Sequence, residues 1–269
     1  MENLVIEKRR GRPPGTGKHQ QIMNNFDPTT VELIRGKEMN FNDSLFEPLK
    51  TKTPLDSILS SNEGLMPATN IVVCGGPGSG KTTIVLDMLA NLTDQGYKCL
   101  FVSAEMDEIG FFKYCKRIPK FSNVQTIFAK NYVENIREAL EYSFGLGYDV
   151  IAIDSIAEVI EMYKDTYRTT ESSAELWFLG LQDRMKKGHN DDGCYTAFVN
   201  IQQVTKAGDF AGSNRLKHMT DGMCSIVRPD KDSAERVVEF SKNRDAEVGI
   251  PISFIISSDH VRYSYGSAE

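Results

Sequence analysis

The segment from Gly75 to Thr82 has the spacing of a phosphate-binding loop, in which a glycine is followed by four residues and then by Gly-Lys-Thr. An apolar run precedes the segment and a helix-favouring stretch follows it, as such a loop requires. Glycines let several backbone N–H groups turn towards one anion, and the helix adds the positive end of its dipole. An ordinary flexible glycine loop is the alternative, and these flanks disfavour it. The predicted nucleoside triphosphate site consists of Gly75, Gly76, Pro77, Gly78, Ser79, Gly80, Lys81, Thr82 and Thr83.

Three side chains are suited to a metal-bound triphosphate. Lys81 is predicted to reach the β- and γ-phosphates of ATP, and the Thr82 hydroxyl is predicted to complete a Mg²⁺ site. Asp154 ends an apolar run, and in parallel sheets ligands bind at the carboxyl ends of strands. Asp154 is therefore predicted to hold the Mg²⁺ shell beside Thr82, although a polar residue that merely ends a strand would leave the same pattern. ATP and Mg²⁺ are the predicted cofactors.

Glu105 also follows a predicted strand, residues 98–104. A carboxylate at such a strand end can orient a water in line with the γ-phosphate or accept its proton. A helix N-terminal acid without a chemical role is the alternative. We predict that Glu105 is catalytic.

The elements around these residues follow a strand-then-helix rhythm. This rhythm predicts an α/β fold with a mainly parallel central sheet that is flanked by helices. The chain of 269 residues can form one large domain with a tail or two small domains. The predicted strands cover residues 71–74, 98–104, 124–129, 148–154, 196–201, 222–228, 237–241, 250–257 and 261–265, and the main predicted helices cover 108–116, 133–144 and 171–187.

Composition excludes several classes of protein. The five cysteines are scattered without a Cys-x-x-Cys pair, which argues against a zinc site and against a disulfide framework. No apolar run has the length of a membrane span, and the first residues lack a signal-peptide core, so we expect a cytoplasmic protein without a membrane partner. The net charge of −6 leaves a nucleic-acid surface possible only as a local patch.

The amino-terminal residues differ in composition from the rest of the chain. Residues 1–30 are predicted to be a disordered basic tail, in which an Arg-Gly-Arg-Pro core resembles an AT-hook. Arg9, Arg10 and Arg12 could contact the minor groove of duplex DNA, attract polyanions without specificity, or only solvate the tail. Residues 31–52 are predicted to be a linker or oligomerisation segment with a short helix around residues 30–37. Its apolar side chains could dock on the main body or on a neighbouring copy.

Several motifs in order resemble the cores of RecA-type ATPases, especially bacterial RadA. Leu-Asp-x-x-Leu and Gly-Leu-x-Pro, in residues 55–67, lead into the phosphate loop as they do in RadA. Val-Ser-Ala-Glu-Met, residues 102–106, is similar to both the Ser-Gly-Glu-Glu of RadA and the Ser-Leu-Glu-Met of DnaB-type helicases. The resemblance implies that Glu105 is the catalytic base. It also implies that Gln203, with Gln202 as a near-equivalent competitor, senses the γ-phosphate and signals to a DNA-contacting loop.

The resemblance implies two DNA-facing loops. Residues 204–221 resemble RadA's Val-Thr-Lys-x-Gly-x-x-Ala-Gly-x-x-x-Leu-x-His-x-x-Asp, a mobile loop that faces single-stranded DNA in that family. A solvated loop is the alternative. Residues 157–170 occupy the place of the second loop without a diagnostic match. The residues implied to contact single-stranded DNA are Lys206, Arg215 and Lys217 through phosphates and Phe210 by stacking.

Lys242 and Arg244 belong to a Lys-Asn-Arg motif that is similar to motifs of RadA, of DnaB-type helicases and of circadian-clock ATPases. In those assemblies the two cations reach the γ-phosphate of the neighbouring subunit, which implies a homo-oligomer, either a ring or a filament, with shared sites. RadA usually continues with Phe-Gly, and this chain departs from that pattern with Asp245 and Ala246. Arg117 matches a family arginine near the adenine, and a helix-surface cation is an equal alternative.

The resemblance covers residues 53–257, within a predicted ATPase domain of residues 53–269, and we expect neither the zinc module nor the protease-like domain of RadA. Core-only RadA-like recombinases of phages have this organisation, and a phage protein would act in the host cytoplasm. The predicted function is that of an oligomeric, single-stranded-DNA-dependent ATPase in recombination, annealing or repair. A DnaB-like helicase motor and a signalling ATPase with protein partners are the alternatives.

Overall fold

The structure is a computed structural model that describes residues 31–204, 214–230 and 233–265, with the backbone alone for Asn214 and Tyr265. The predicted tail with Arg9, Arg10 and Arg12, and the predicted DNA contacts Lys206 and Phe210, lie outside the described residues. The chain divides into two compact units, Met1–Asn42 and Asp43–Glu269. In the first unit, a 3-10 turn at Gly36–Glu38 stands where the sequence predicted a longer helix around residues 30–37.

The second unit contains a nine-stranded sheet and seven α-helices among the described residues. Short 3-10 segments lie at Asp43–Phe46, Pro119–Asn123 and Ala129–Asn135. The strands are β1 Asn70–Gly75, β2 Cys99–Ser103, β3 Gln125–Phe128, β4 Val150–Asp154, β5 Ala197–Gln203, β6 Gly222–Val227, β7 Glu235–Asn243, β8 Ile252–Ile256 and β9 Val261–Tyr265. The helices are α1 Asp56–Leu59, α2 Lys81–Thr93, α3 Glu108–Arg117, α4 Ile136–Gly145, α5 Ile156–Thr166, α6 Glu171–Lys186 and α7 Asn214–Met219.

The sheet has the order β3-β2-β4-β5-β1-β6-β7-β8-β9. All pairings from β3 to β6 are parallel, and those from β6 to β9 are antiparallel. In register, Ser103 pairs with Asp154 and Gly75 pairs with Gln203. The carboxyl ends of β1, β2, β4 and β5 therefore meet at one edge, and the predicted α/β fold with a mainly parallel central sheet is confirmed.

Apolar side chains of the central strands alternate between two cores because successive residues of a strand point to opposite faces. On one face, Phe101 belongs to a buried cluster with Leu89 of α2, against which Phe111 of α3 packs. On the other face, the neighbouring Leu100 belongs to a cluster with buried residues of α4, α5 and α6, among them Phe144. Each fully buried phenylalanine contributes roughly 1.5–3 kcal/mol through the hydrophobic effect. Helices thus flank both faces of the sheet.

Most of residues 157–170 are helical where the resemblance implied a loop. Helix α5 runs from Ile156 to Thr166, and residues Ile156, Val159, Ile160 and Tyr163 are buried. These positions have the i, i+3, i+4, i+7 spacing of an amphipathic helix, so the sequence did carry a signal for it. None of the described helices is long and apolar enough to span a bilayer.

Candidate nucleotide-binding site

The phosphate loop has a backbone conformation that requires glycine at two positions in particular. Gly80 has a φ of 101°, and a Cβ atom there would lie 2.7 Å from Ile256 Cδ1. A Cβ on Gly75 would lie 2.7 Å from Ser79 Oγ and 2.8 Å from the Ile226 carbonyl oxygen. The loop therefore packs closely both against itself and against side chain and backbone atoms of β6 and β8.

A cavity of about 510 Å³ opens above this loop. Its walls include five side chains that the sequence predicted to act on ATP: Lys81, Thr82, Glu105, Asp154 and Gln203. They come from α2, from the loop after β2 and from the ends of β4 and β5, and the parallel register brings them together. The volume lies in the range of small-molecule sites in proteins.

Lys81 begins α2 and folds back over the loop that precedes it. Its Nζ donates hydrogen bonds to the carbonyl oxygens of Gly75 at 2.8 Å and Gly76 at 3.1 Å. Burial lowers the pKa of Lys81, and the nearby Asp154 and Glu105 act in the opposite direction. The ammonium group is partly desolvated and is held by neutral carbonyl groups, so an anion such as a phosphate would be a stronger partner.

Asp154 and Thr82 form the candidate metal site. Asp154 is only 3% exposed, and its Oδ2 accepts a hydrogen bond of 2.6 Å from Thr82 Oγ1. Burial raises the pKa of Asp154 to about 6, and the charge of Glu105 adds to this shift. A carboxylate and a hydroxyl oxygen in contact, beside a phosphate loop, fit the oxygen-ligand preference of Mg²⁺, which they would hold together with phosphate oxygens.

Glu105 and Gln203 are joined across the cavity. Gln203 Nε2 donates to Glu105 Oε1 at 3.1 Å, whereas the adjacent Gln202 is 2% exposed and is not part of the cavity wall. The backbone N–H of Glu105 donates to the Asp154 carbonyl at 3.0 Å. Lys130 Nζ donates to the Glu105 carbonyl at 2.7 Å. Of the two glutamines, Gln203 is therefore the one whose side chain lines the cavity.

Three arginines approach the loop from other elements. Arg117 of α3 donates to Thr83 Oγ1 at 3.3 Å, and Arg228, just after β6, donates to the Gly78 carbonyl at 3.1 Å. Arg236 of β7 forms part of the cavity wall. Arg228, Arg236 and Lys130 were missed in the sequence. They belong to no motif, and only the folding of distant strands and helices over the loop places them here.

Lys242 and Arg244 do not join this cavity in their own chain. Lys242 pairs with Met223 on β6, which lies level with Val72 on β1, three residues before Gly75. That offset is about 10 Å along the strand. The Lys242 side chain continues away from the loop, since Nζ donates to the Thr220 carbonyl at 2.5 Å and the Lys217 carbonyl at 2.8 Å.

Asp221 links three groups at the strand ends where Arg244 lies. Its Oδ1 pairs with Arg244 at 2.9 Å, and its Oδ2 pairs with Lys186 Nζ at 2.7 Å and accepts from the Asn70 backbone N–H at 2.9 Å. Burial, followed by the charge of Arg244, lowers the pKa of Lys242. Both candidate cations thus contact the segment that links α7 to β6.

Two of the predicted DNA contacts fall on described residues. Arg215 of α7 donates to the carbonyl oxygen of Ser172 at 3.3 Å and to its hydroxyl at 3.4 Å. Lys217 lies two residues later on the same short helix and is exposed. Helix α7 lies within residues 204–221, for which the resemblance implied a loop.

Strand β1, its glycine loop and helix α2 form a P-loop. Strand β4, which ends in Asp154, is separated from β1 by the single strand β5. Together these features define a P-loop ATPase of the RecA type. Residues 49–262 match the family described as "ATPase: KaiC", and the chain belongs to that family.

Similar proteins share the fold and part of the sequence. The DNA repair protein RadA of Rickettsia typhi is 26% identical over 270 residues, which cover 96% of this chain and 57% of the relative. This chain spans about half the length of the curated relatives it matches. A KaiC-like protein from Pyrococcus horikoshii is 15% identical, with a TM-score of 0.60 over 81% of this chain and 99% of that one. A RadB recombinase gives a TM-score of 0.57 at 19% identity, over 79% and 98% of the respective chains.

Proposed function

We propose that this chain is the subunit of an oligomeric, single-stranded-DNA-dependent ATPase of the RecA/RadA type, acting in recombination, annealing or repair. The main support is that Lys242 and Arg244 lie at the strand ends opposite their own phosphate loop, where the Arg244 side chain is 61% exposed and can reach a neighbour. Relatives named as DNA repair protein RadA, and the likeness to a RadB recombinase, favour DNA as the partner.

In the proposed reaction, Lys81 leaves its two loop carbonyls and binds the β- and γ-phosphates of ATP. Thr82 and Asp154 would hold Mg²⁺, which would supply positive charge next to the phosphate oxygens. Glu105 orients the attacking water and accepts its proton. Since Gln203 already contacts Glu105, its amide can turn to the γ-phosphate and pass a signal to residues 204–217, which follow it directly in the chain.

The proposed DNA surface is formed by the residues that follow Gln203 in the chain. Arg215 and Lys217 of α7, with Lys206 and Phe210, would contact the phosphates and bases of single-stranded DNA. Lys242 holds the carboxyl end of the same helix through the Lys217 and Thr220 carbonyls. One segment would therefore contact DNA and support the cations that serve the next subunit. The basic tail with Arg9, Arg10 and Arg12 would add contacts to duplex DNA.

The shared site can be tested by mixing two inactive variants. Arg244→Ala subunits keep Glu105, and Glu105→Gln subunits keep Arg244, so about a quarter of the interfaces in a random equal mixture combine both intact groups. We expect the mixture to recover ATP hydrolysis that neither variant shows alone.

The matched control replaces the Glu105→Gln partner with the double variant Glu105→Gln, Arg244→Ala, which assembles in the same way but brings no Arg244. Recovery with the single variant and none with the double variant is the expected result. Equal activity in the two mixtures, with assembly confirmed by light scattering, would show that Arg244 does not act across the interface.

A helicase motor is the second candidate, and the Ser-Ala-Glu-Met sequence at residues 103–106 favours it. Directional, ATP-dependent strand displacement by the purified protein would support it, whereas pairing of complementary strands without unwinding would support the recombinase. The family match also leaves a signalling ATPase with protein partners as a third candidate. ATP hydrolysis that single-stranded DNA fails to stimulate at low salt would favour that third candidate over both others.

A further inference from the structure

Three guanidinium groups converge on the phosphate loop from the side of α3 and the antiparallel strands. Arg228 contacts the Gly78 carbonyl, and Arg117 contacts Thr83. The Arg236 side chain passes beside Gly80, where its Cδ and Nε atoms lie 3.3 Å from the position that a Cβ would occupy. None of the three forms an ion pair with an acid in the part of the chain that the structure describes. Three positive charges at such close range are unfavourable unless an anion is bound between them.

Arg236 is the most constrained of the three. Its NH1 group donates to the Ala234 carbonyl at 2.8 Å, which orients the guanidinium. Its Nε atom is buried and has no hydrogen-bond acceptor among the described residues. Burial lowers the pKa of Arg236, and the charges of Arg228 and Arg117 lower it further. A buried donor without an acceptor costs free energy, and a bound ligand that supplies an oxygen atom removes that cost.

The position of Arg236 along the loop indicates which part of a nucleotide it meets. Lys81, Thr82 and Asp154 define the end of the cavity where the β- and γ-phosphates bind, and Glu105 and Gln203 lie with them. Gly80 and Thr83, which Arg236 and Arg117 adjoin, lie along the part of the loop whose N–H groups hold the α- and β-phosphates. The arginines thus approach the phosphate chain from the nucleoside side.

We propose that Arg236 binds the α-phosphate of the nucleotide within its own subunit. The β7–β8 hairpin supplies the contact because Arg236 pairs with Phe254, and Ile256 of the same strand packs on Gly80. The absence of a side chain at Gly80 lets the hairpin approach. This proposal rests on nucleotide binding at the phosphate loop and is independent of DNA and of assembly.

The test measures nucleotide affinity rather than turnover. Dissociation constants for ATP, ADP, AMP and adenosine are obtained by competition against a fluorescent ADP, without DNA, for the wild type and for Arg236→Gln. Loss of a charge-assisted hydrogen bond predicts that ATP, ADP and AMP each bind about 10- to 100-fold more weakly, by a common factor, while adenosine is unchanged.

Arg262→Gln is the matched control because it removes the same charge from β9, two strands away from β7 in the sheet, on an exposed side chain that does not line the cavity. It is expected to bind all four ligands normally. Arg236→Lys keeps a cation without the guanidinium fork and is expected to be intermediate. It provides the comparison if thermal melting shows that Arg236→Gln is unfolded.

Three results would overturn the proposal. An equal loss for adenosine would place the contact on the ribose or base, and a loss for ATP alone would place it on the γ-phosphate. Unchanged affinities in a folded variant would mean that Arg236 does not touch the nucleotide. Lys81→Ala separates these results from a failure of nucleotide binding at the loop itself, since wild type and Lys81→Ala would then bind ATP equally.

Discussion

The carboxylate of Asp154 is held where it is costly to ionise. It is 3% exposed at the end of a buried strand, and its pKa is raised to about 6. Binding of a cation would offset the free-energy cost of this buried charge, because buried ions are tolerated when they are paired or coordinate a metal. At the scale of the residue, therefore, the buried carboxylate lowers the stability of the metal-free protein, and the proposed Mg²⁺ would offset that cost.

Replacing Asp154 with asparagine is expected to stabilise the metal-free protein and to abolish Mg²⁺-dependent ATP hydrolysis. The pKa of Asp154 is higher in the folded chain than the ordinary 3.8, so folding disfavours its ionised form. In EDTA at pH 8, the variant should melt at a higher temperature than the wild type. Since the wild type regains stability as pH falls through about 6 towards 3.8, the difference between the two proteins should shrink over that window.

Thr82→Ala is the control, because it removes the other oxygen of the site but leaves the Asp154 charge. It should weaken hydrolysis without raising the melting temperature in EDTA. An Asp154→Asn variant that is less stable than the wild type at pH 8 would contradict the cost assigned to the buried carboxylate.

The sequence reveals a site residue only when local spacing or the end of a strand positions it. Lys81 and Thr82 follow from local spacing, and the structure brings Glu105, Asp154 and Gln203 to the same cavity because each ends a strand of the parallel sheet. Their roles in catalysis stay predictions. Arg228, Arg236 and Lys130 reach the site through tertiary packing, without a spacing that marks them. Sequence reasoning thus located the residues at strand ends and missed those that approach from outside.

At the scale of elements, the alternation of strands and helices was sufficient to predict the sheet, and most predicted boundaries fall within a few residues of the observed ones. The segment of α5 shows that a helical spacing of apolar residues can be a better guide to local structure than a family resemblance, which implied a loop there. The position of β6 beside β1, by contrast, is set by long-range pairing, and no local pattern specifies it.

Two central strands are held in register by a buried ring of amides. Asn70 of β1 donates to Gln182 at 2.7 Å, Gln182 donates to Asn200 of β5 at 2.9 Å, and Asn200 donates back to Asn70 at 2.7 Å. All three side chains are at most 4% exposed. Because β1 leads into the phosphate loop and β5 leads into Gln203, this ring helps to fix the two strand ends relative to one another.

Asn200→Ala is expected to destabilise the protein strongly, because it leaves one amide donor and one carbonyl acceptor buried without partners. The cost should be on the order of 3 kcal/mol. Urea unfolding measures it as a lower midpoint at an unchanged slope. Asn62→Ala, on an exposed loop, is the control and should change stability by less than about 0.5 kcal/mol. Similar midpoints for the two variants would mean that the ring contributes little.

At the scale of the whole molecule, the sheet separates two chemical edges. The carboxyl edge carries the cavity with Glu105 and Asp154, and the opposite edge carries Lys242 and Arg244. A subunit with these groups on different edges is suited to head-to-tail assembly, in which each interface joins unlike surfaces. In such an assembly, the geometry of Arg244 in one subunit would limit the rate of hydrolysis in the next, and Asp221 is the group that holds Arg244.

Asp221→Asn is therefore expected to lower kcat about 10-fold in the assembled protein and to leave ATP affinity unchanged. The reason is that the variant misplaces the Arg244 guanidinium, which is proposed to act in the transition state and not in ground-state binding. The asparagine can still accept the Asn70 N–H, so the start of β1 keeps its contact. Lys186→Gln is the matched control, since it removes the other cation from the same carboxylate and leaves the pairing with Arg244 intact. Steady-state hydrolysis and equilibrium ATP binding, measured on both variants at equal assembly, distinguish the two roles of Asp221. If Lys186→Gln lowers kcat as much as Asp221→Asn does, Asp221 acts through the packing of α6 and β1 rather than through Arg244.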